Sequence, residues 1–375
     1  MLTPMDDTLW HQLPTTFDHV GTSDPRFFDR YWFVANDPRG GGTLQLTLGV
    51  YQNMNVMDGG FVFARDGRQH NVRASRTLRP HYAPCCGPIA VEVLEPLARF
   101  ALRVDDAASG VRAELEWRAE FDAQEEVPQF VRQRGRVVRD SRRFDQIGAC
   151  AGWVEAGGRR TEVDSWWAAR DHSWGVRERV GIDEPQTGPP PAAAPDAASA
   201  GGTLFAFLFF STTAIGGHVQ LSHFAGEGDY LSAEVERRGG GAPVRLARAA
   251  LRAELVDDRS PRRFRAAWFD AALDDGRPVE IEMRALGSAI DMQGLGYGGY
   301  DDGRGLGVWR GDAHTERDVW DVSDACEVVR DGARVRPIHR IQPVRVAVRG
   351  GGVDGEGTGS LTFIAEGRLP QLGLG

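Results

Sequence analysis

Apolar residues recur at every second position along much of this 375-residue chain. Runs with this alternation begin at Leu44, Val111, Val279, Val344 and Leu361, and each has mostly polar or small residues between its apolar ones. Because successive side chains of a strand point to opposite faces, such runs are typical of antiparallel strands with one buried face. The 47 Gly and 20 Pro punctuate these runs. The sequence therefore predicts a mostly β protein with large sheets of barrel or sandwich type.

One segment departs from this pattern. Residues 185–202 read PQTGPPPAAAPDAASAGG, with no aromatic side chain and almost nothing to bury. Such composition is typical of a linker or a long loop. It divides the chain into parts of similar size, 1–184 and 203–375, each about the size of one β-barrel domain. The longest apolar run, 204–210, has the length of a strand and is far shorter than the roughly 18 residues of a membrane span.

Composition argues against several classes of function. The net charge is −9 and the pI about 5.6, unlike a nucleic-acid groove or a surface for anionic membranes. All 44 basic residues are Arg, which excludes a Schiff-base lysine and a phosphate loop built around a lysine. The first residues show no basic and apolar signal segment. We expect a cytoplasmic protein with a hydrophobic small-molecule ligand, no nucleic-acid partner, no transmembrane segment and an oligomeric state that the sequence does not fix.

The sequence contains no local signature of a metal site or of a serine nucleophile. Its four Cys residues form no CxxC pair, so reduced thiols are expected. No HxH, HExxH or His–carboxylate set has metal-ligand spacing, and a site assembled from distant residues is not visible in spacing. The GxSxG elbow is also missing. We therefore predict neither a metal nor a cofactor.

The segment 164–178, DSWWAARDHSWGVRE, is the densest in chemical groups. On an extended backbone the residues that share one face are Asp164, Trp166, Arg170, His172 and Trp174, with Asp171 and Ser173 on the other. Trp, Arg and one titratable His on one face would line a small-molecule cavity. We predict His172 as the proton carrier, with Asp171 fixing its tautomer through a neighbour or capping the turn at Gly175. The alternative is a core His beside a buried ion-pair network.

A second segment, 291–314, combines glycines with aromatic residues. Its glycines match no dinucleotide or phosphate loop, because no strand–GxGxxG–helix unit surrounds them and no Lys follows. Tyr297, as an auxiliary proton donor, and Tyr300, Trp309 and His314, as lining groups, are predicted to reach the same cavity from the second half. The alternative is a glycine-rich turn that packs its aromatics between domains. His223 follows Val219 and Leu221 at period two, so it is either a core His or a further lining group.

The run RDHSWGVR at 170–177, followed by the strand LFAFLFF at 204–210, resembles the acyclic-carotenoid hydratase-like or AttH-like group. The stretch GLGYGGYDDGRGLGVWRGD at 294–312 is similar to uncharacterised bacterial relatives of that group. The resemblance implies two lipocalin-like β-barrels in tandem and no organic cofactor. It also implies hydration or rearrangement of carbon–carbon double bonds in apolar substrates, as in hydratases of carotenoid ends and of prenylated plant phenolics, and in fungal relatives that assist cycloadditions.

The resemblance places His172 and Trp174 at the motif that borders the hydratase site, with Trp166 and Trp174 as an apolar wall. In those hydratases an Asp helped by a Tyr on the following strand protonates the alkene, but here that strand, LFAFLFFST, has no carboxylate. Asp291 or Asp312 would have to replace it. The first hypothesis is a cofactor-independent hydratase, dehydratase or isomerase acting on an isoprenoid-like or aromatic substrate. The alternatives are a lipocalin-like carrier and a non-catalytic interaction protein.

Overall fold

The computed structural model describes residues 3–7, 9, 14–80, 82–133, 135–185, 187–189, 202–224, 228–259, 262–297, 300–337 and 340–374. Across these ranges the helical elements are four 3-10 turns, Pro4–Asp7, Gln52–Met54, Met292–Leu295 and Pro370–Leu372. None of the described helices is long and apolar enough to cross a membrane.

The strands, in chain order, are β1 (Phe27–Asn36), β2 (Thr43–Tyr51), β3 (Val56–Arg65), β4 (Arg68–Thr77), β5 (Cys85–Cys86), β6 (Ile89–Glu95), β7 (Arg99–Asp106), β8 (Val111–Ala119), β9 (Gln124–Glu125), β10 (Gln129–Gln133), β11 (Arg136–Ala156), β12 (Arg159–Val176), β13 (Thr203–Thr212), β14 (Ile215–Phe224), β15 (Gly228–Arg237), β16 (Val244–Leu255), β17 (Phe264–Leu273), β18 (Pro278–Ala285), β19 (Ile290–Asp291), β20 (His314–Asp321), β21 (Val328–Arg330), β22 (Ala333–Val335), β23 (Arg340–Gly350) and β24 (Gly355–Glu366).

These strands form two antiparallel sheets. The first sheet has 15 strands, β1–β12 and β20–β22, and curls around one apolar core. The second has nine strands, β13–β19, β23 and β24. In the second sheet β18 pairs with β23 as well as with β17, so eight strands close into a barrel. We refer to the two units as the first sheet and the barrel.

The long hairpin of β11 and β12 runs through the middle of the first sheet. Its turn is Gly157-Gly158, and both glycines have positive φ, 58° and 71°. A two-residue turn of this kind requires positive φ at both positions, which glycine adopts without strain. β12 pairs with β11 on one side and with β1 on the other, so it is a central strand.

The apolar run 204–210 forms most of β13 and is buried on both faces. Leu204 and Leu208 point into the core of the barrel, whereas Phe207 and Phe209 point toward the first sheet. A strand covered on both faces reads as a continuous apolar run, which explains why alternation is lost here. The ring of Phe209 stacks on Trp32 of β1 with 5.4 Å between ring centroids, and this contact lies at the centre of the interface between the two units.

The predicted fold, mostly β in two antiparallel units of barrel or sandwich type, is confirmed. The chain does not divide into these units in simple order, because β20–β22, residues 314–335, pair with β4 of the first sheet. Residues after the predicted linker thus contribute to both units. Most of the linker 185–202 lies outside the described residues, which include only 185, 187–189 and 202 of it.

Candidate functional site

Strand β12 carries predicted site residues on both of its faces. We call the side of the first sheet that bears its core the inner face, and the side that packs on the barrel the outer face. Trp166 lies in the inner core and Trp167 in the cluster between the two units. The alternation continues to the end of the strand, with Arg170, His172 and Trp174 on the inner face and Asp171 and Ser173 on the outer face.

Asp164 was expected on the same face as Trp166, and the structure corrects this. The ladder between β11 and β12 shifts register between Cys150 and Gly152, and Ser165 adopts a positive φ of 49°. Because of this bulge Val163 and Trp166, three residues apart, both reach the inner core. Asp164 is exposed instead.

His172 is held by a carboxylate and by aromatic rings. Its Nε2 lies 2.7 Å from Oδ1 of Asp29, which is on the neighbouring strand β1. The rings of Tyr31, Phe144 and Trp174 lie around the imidazole at centroid distances of 4.6, 5.3 and 5.4 Å. The His172 side chain keeps 24% of its surface exposed, so a small molecule can reach it. A carboxylate on one ring nitrogen fixes the ring and leaves the other nitrogen to exchange a proton.

A groove of about 680 Å³ opens at this end of β12. Trp174, Phe27 and Val176 form the apolar part of its wall. Its cationic groups are Arg132, Arg136 and Arg142, and its acidic groups are Asp24, Asp140 and Glu184. His172 does not line the groove itself; Trp174, which does, lies between the groove and the imidazole, with 5.4 Å between the two ring centroids.

Arg170 lies deeper on the inner face and is 1% exposed. Its Nε and one terminal nitrogen donate to Oε1 of Gln146 at 3.0 and 2.7 Å. The guanidinium lies over the rings of Phe100, Phe144 and Trp117, with 4.5, 5.0 and 5.2 Å to their centroids. Burial lowers the pKa of Arg170 to about 10. Arg170 and Trp166 are therefore buried in the inner face and do not line the groove.

Asp171 lies on the outer face, opposite to His172. Its direct neighbours across the sheet are Asp145 on β11 and Trp32 on β1. Burial raises the pKa of the Asp171 carboxyl, and the charge of Arg143 opposes that rise. Asp171 therefore does not orient His172 directly; Asp29 makes that contact.

Tyr297 lies on the outer face as well, over the arginines that surround Asp171. The guanidinium of Arg30 is 4.8 Å from the centroid of its ring and that of Arg177 is 5.7 Å away. The positive charges of Arg30 and Arg177 both act to lower the pKa of Asp171. The structure thus brings Asp171 and Tyr297 to a common cationic environment and separates both from His172 by the thickness of the sheet.

The other predicted lining groups of the second segment lie at β4, four strands away from β12 in the sheet. The Tyr300 hydroxyl donates to the carbonyl of Ala74 at 3.0 Å, and Nε2 of His314 lies 2.9 Å from Glu316. Trp309 is 55% exposed. The expectation that these side chains share a cavity with His172 does not match this placement, because β20 extends the first sheet beyond β4.

Asp291 and Asp312 also lie away from His172. The Asp291 carboxylate accepts from the backbone N–H of Gln293 at 3.0 Å and caps the 3-10 turn there. Asp312 accepts a hydrogen bond from Thr77 at 2.7 Å. Neither replaces the carboxylate that β13 lacks.

His223 faces a second cavity, in the barrel. Its Nδ1 lies 2.7 Å from Oδ1 of Asp229. A pocket of about 360 Å³ is lined by this pair and by apolar side chains that include Leu204, Leu221 and Leu251. His223 therefore lines a pocket, but a different one from the groove at Trp174.

Two buried polar clusters were not predicted from the sequence. In the first, Arg30 donates to the Tyr51 hydroxyl at 2.9 Å, and that hydroxyl donates to Asp58 at 3.0 Å. The backbone N–H of Gly307 donates to the other oxygen of Asp58 at 2.7 Å. Burial raises the pKa of Asp58, and Arg30 opposes the rise. A charged residue inside the apolar run VMDGGFVF was the available indication of this cluster.

The second cluster joins the two units. Glu126 and Asp145 of the first sheet meet His218 of β14, and all three are at most 3% exposed. The three residues are far apart in the sequence, and His218 has no distinctive neighbours in it. No local pattern marks this cluster.

A closed barrel packed on a large antiparallel sheet, with a groove at the strand ends, defines a lipocalin-like protein of two β units. The chain belongs to a family of unknown function, DUF8625, which matches residues 2–361. No curated protein sequence matches it.

Two solved structures share this fold along nearly the whole chain. CghA with Sch210972 is 11% identical, with 91% of this chain and 89% of that chain covered and a TM-score of 0.50. Kievitone hydratase from Nectria haematococca is 8% identical, with 98% and 96% covered and a TM-score of 0.50. At these identities the likeness concerns the fold, and it agrees with the tandem lipocalin-like architecture that the sequence resemblance implied.

Proposed function

We propose that this protein is a cofactor-independent hydratase, dehydratase or isomerase that acts on a carbon–carbon double bond of an apolar, isoprenoid-like or aromatic small molecule. The observation that carries the proposal is the His172–Asp29 pair among three aromatic rings, beside the groove that Trp174 lines. In this proposal Trp174 and the apolar wall bind the substrate, and His172 transfers the proton.

The acid and base strength of an imidazole limits the kind of double bond on which the His172–Asp29 pair can act. An imidazole held by a carboxylate removes a proton from a carbon next to a carbonyl, whereas an imidazolium is too weak an acid to protonate an isolated alkene. In the dehydration direction His172 takes the proton at that carbon, and the electron pair moves onto the carbonyl oxygen to give an enolate. The enolate then restores the carbonyl as the carbon–carbon double bond forms and the C–O bond at the next carbon breaks, and the protonated His172 gives its proton to the departing hydroxyl, which leaves as water. Hydration is the reverse. The double bond is therefore conjugated to a carbonyl or to a phenol ring.

The groove contains as many carboxylates as arginines, so its overall charge does not select between an enolate and a carbocation. Arg136 pairs with Glu184 at 3.5 Å and Arg142 with Glu125 at 3.0 Å. In the proposal the guanidinium of Arg132 stabilises negative charge on a carbonyl or phenol oxygen as the proton leaves. This differs from alkene protonation by an Asp, the mechanism that the family resemblance implied.

The proposal is tested with isotopes. The full-length protein is incubated in H₂¹⁸O, and separately in D₂O, with two sets of alkenes and the corresponding alcohols. The conjugated set contains unsaturated ketones and phenols whose side-chain double bond is conjugated to the ring, and the unactivated set contains prenylated phenols and terpenoid alkenes. Mass spectrometry then measures ¹⁸O in the products and deuterium at carbon. We expect protein-dependent label in the conjugated substrates and none in the unactivated alkenes.

Substitutions on the two faces of β12 locate the chemistry. His172→Gln keeps a hydrogen-bonding group toward Asp29 but cannot exchange a proton, so we expect turnover to fall by roughly 10²–10⁴-fold. Ser173→Ala, on the outer face, is the matched control and should retain turnover. Full activity in His172→Gln refutes the assignment. A loss confined to Asp171→Asn would place the reaction on the outer face.

The barrel pocket favours a second candidate function, that of a carrier. It has about 360 Å³ and is lined mainly by leucines with one His–Asp pair, as a site for a small apolar ligand would be. Leu221→Arg should then abolish binding of a fluorescent fatty acid without changing turnover at the groove. Equal binding by this variant would contradict the carrier function.

A further inference from the structure

The polar cluster at the interface has the composition of a metal site. Glu126, Asp145 and His218 each offer one ligand atom, and these atoms all lie within 4.8 Å of one another. Exposure is 3% for Glu126, 2% for Asp145 and 0% for His218. Two carboxylates buried so closely need a proton or a cation between them, because their charges repel in a medium of low polarity.

Two of the three groups, Asp145 and His218, are not satisfied by donors of the surrounding protein. Within the described part of the chain, no donor group hydrogen-bonds either carboxylate oxygen of Asp145, and the Nδ1 of His218 has no hydrogen-bond partner. Asp145 instead faces the Glu126 carboxyl within hydrogen-bonding reach. Nδ1 of His218 lies 3.5 Å from Oδ2 of Asp145 without hydrogen-bond geometry. That separation fits two ligands of one ion bound at about 2.0–2.2 Å from each.

The remaining atoms of the cluster are held from outside. Nε2 of His218 lies 3.0 Å from the Ser232 hydroxyl, which fixes the ring with Nδ1 toward the carboxylates. The Tyr230 hydroxyl donates to Glu126 at 3.2 Å. Metal-binding His and carboxylate residues are usually oriented by such partners.

We propose that Glu126, Asp145 and His218 bind one divalent transition-metal ion, such as Zn²⁺, that links the first sheet to the barrel. One imidazole nitrogen with two carboxylate oxygens suits Zn²⁺ or a neighbouring transition metal better than Mg²⁺ or Ca²⁺, which prefer oxygen ligands alone. The ion balances the two carboxylates. Arg143, whose guanidinium lies 3.5 Å from Glu126, adds one further positive charge.

Because Glu126 and Asp145 belong to one unit and His218 to the other, the ion adds a link between elements that also meet through apolar contacts and through hydrogen bonds such as that of Tyr230 with Glu126. Binding to the folded state alone stabilises that state by mass action. The inference does not depend on the proposed reaction, which we place on the inner face of the sheet.

The test uses the full-length protein, stripped with EDTA and then supplied with ZnCl₂, MnCl₂, MgCl₂ or CaCl₂. Bound metal per chain is measured by elemental analysis after desalting, affinity by calorimetry and stability by thermal unfolding. We expect one Zn²⁺ per chain and a higher Tm with Zn²⁺. Asp145→Asn and Glu126→Gln should each weaken binding by about 100-fold or more.

Asp229→Asn is the matched control, since it alters the other His–carboxylate pair of the barrel, and it should bind Zn²⁺ as the wild type does. Asp145→Asn removes a buried charge and keeps the shape of the side chain, so it should fold and be no less stable than the stripped wild type. If a proton occupies the cluster instead, the wild type takes up no stoichiometric metal and its Tm is unchanged by Zn²⁺. That result, or full binding by both variants, overturns the proposal.

Discussion

Two arginines of the first sheet are equally buried, but the same substitution should lower the free energy of unfolding much more at one of them than at the other. Arg170 on the inner face and Arg73 on the outer face are each 1% exposed. Arg73 pairs with Asp318 at 2.8 Å and with Glu316 at 3.1 Å. Arg170 has no ion pair among the described residues and instead bonds Gln146. Replacing each by Met, which has a similar apolar stem, separates the effect of the charge from that of packing.

For Arg170 the contacts of the guanidinium offset the cost of burying its charge. Its pKa falls from 12.5 to about 10 on burial, which corresponds to about 3.4 kcal/mol against the charged native state. The hydrogen bonds to Gln146 return about 1.5–3 kcal/mol. Each ring contact returns roughly 0.5–1 kcal/mol. At the low end of these ranges the gains match the cost, and at the high end they exceed it by about 2.6 kcal/mol, so Arg170→Met should lower the free energy of unfolding by less than about 2.6 kcal/mol.

For Arg73 the same change takes a buried cation away from two carboxylates, Glu316 and Asp318, of which Asp318 keeps Arg330 at 3.3 Å. Although burial opposes it, the hydrogen bond and the charge of Asp318 raise the pKa of Arg73. Breaking a buried pair from one side costs about 3–5 kcal/mol. Arg73→Met should therefore lose several kcal/mol in urea unfolding followed by tryptophan fluorescence and circular dichroism. Equal losses in Arg170→Met and Arg73→Met would refute this electrostatic reasoning.

Three further predictions concern loops and the interface. Hydrogen bonds from two arginines, opposed by burial, lower the pKa of Asp302 to about 2, so Asp302→Asn should cost stability at pH 6. The difference in the free energy of unfolding between this variant and the wild type should vanish as the pH falls from about 4 to 2. A difference that stays constant with pH would contradict this prediction. A Cβ at Gly60 would lie 2.8 Å from a backbone oxygen of the turn 292–295, so Gly60→Ala should cost about 1–3 kcal/mol in calorimetry. Phe209→Ala removes the stack on Trp32 and should cost roughly 3–5 kcal/mol, and an unchanged Tm would exclude an apolar interface.

The fold was predictable because alternation is a local property. Leu44, Leu46 and Leu48 share the inner core, as period two requires, and Trp117 lies in the same core. The sequence also indicated which residues of β12 share a face from Trp166 onward. A break in the register was not predictable, because Ser165 adopts its positive φ to suit the ladder with β11.

The candidate site was predictable only in part. His172 and Trp174 lie together as expected, but Asp29, the partner of His172, is 143 positions away in the chain. Tyr297 and Asp171 share the arginines Arg30 and Arg177 on the outer face. The turn 292–295, which precedes Tyr297, packs on Gly60 of β3, a contact with no pattern in either segment.

The sequence by itself determined the β class and the side on which each residue of β12 points from Trp166 onward, since these follow from the two-residue repeat of an extended chain. Only the tertiary structure decided what lies opposite each face. Residues 314–335 add to the first sheet, and His218 of the barrel meets Glu126 and Asp145. Pairings of this kind depend on long-range packing and on the burial of charge, which no local spacing records.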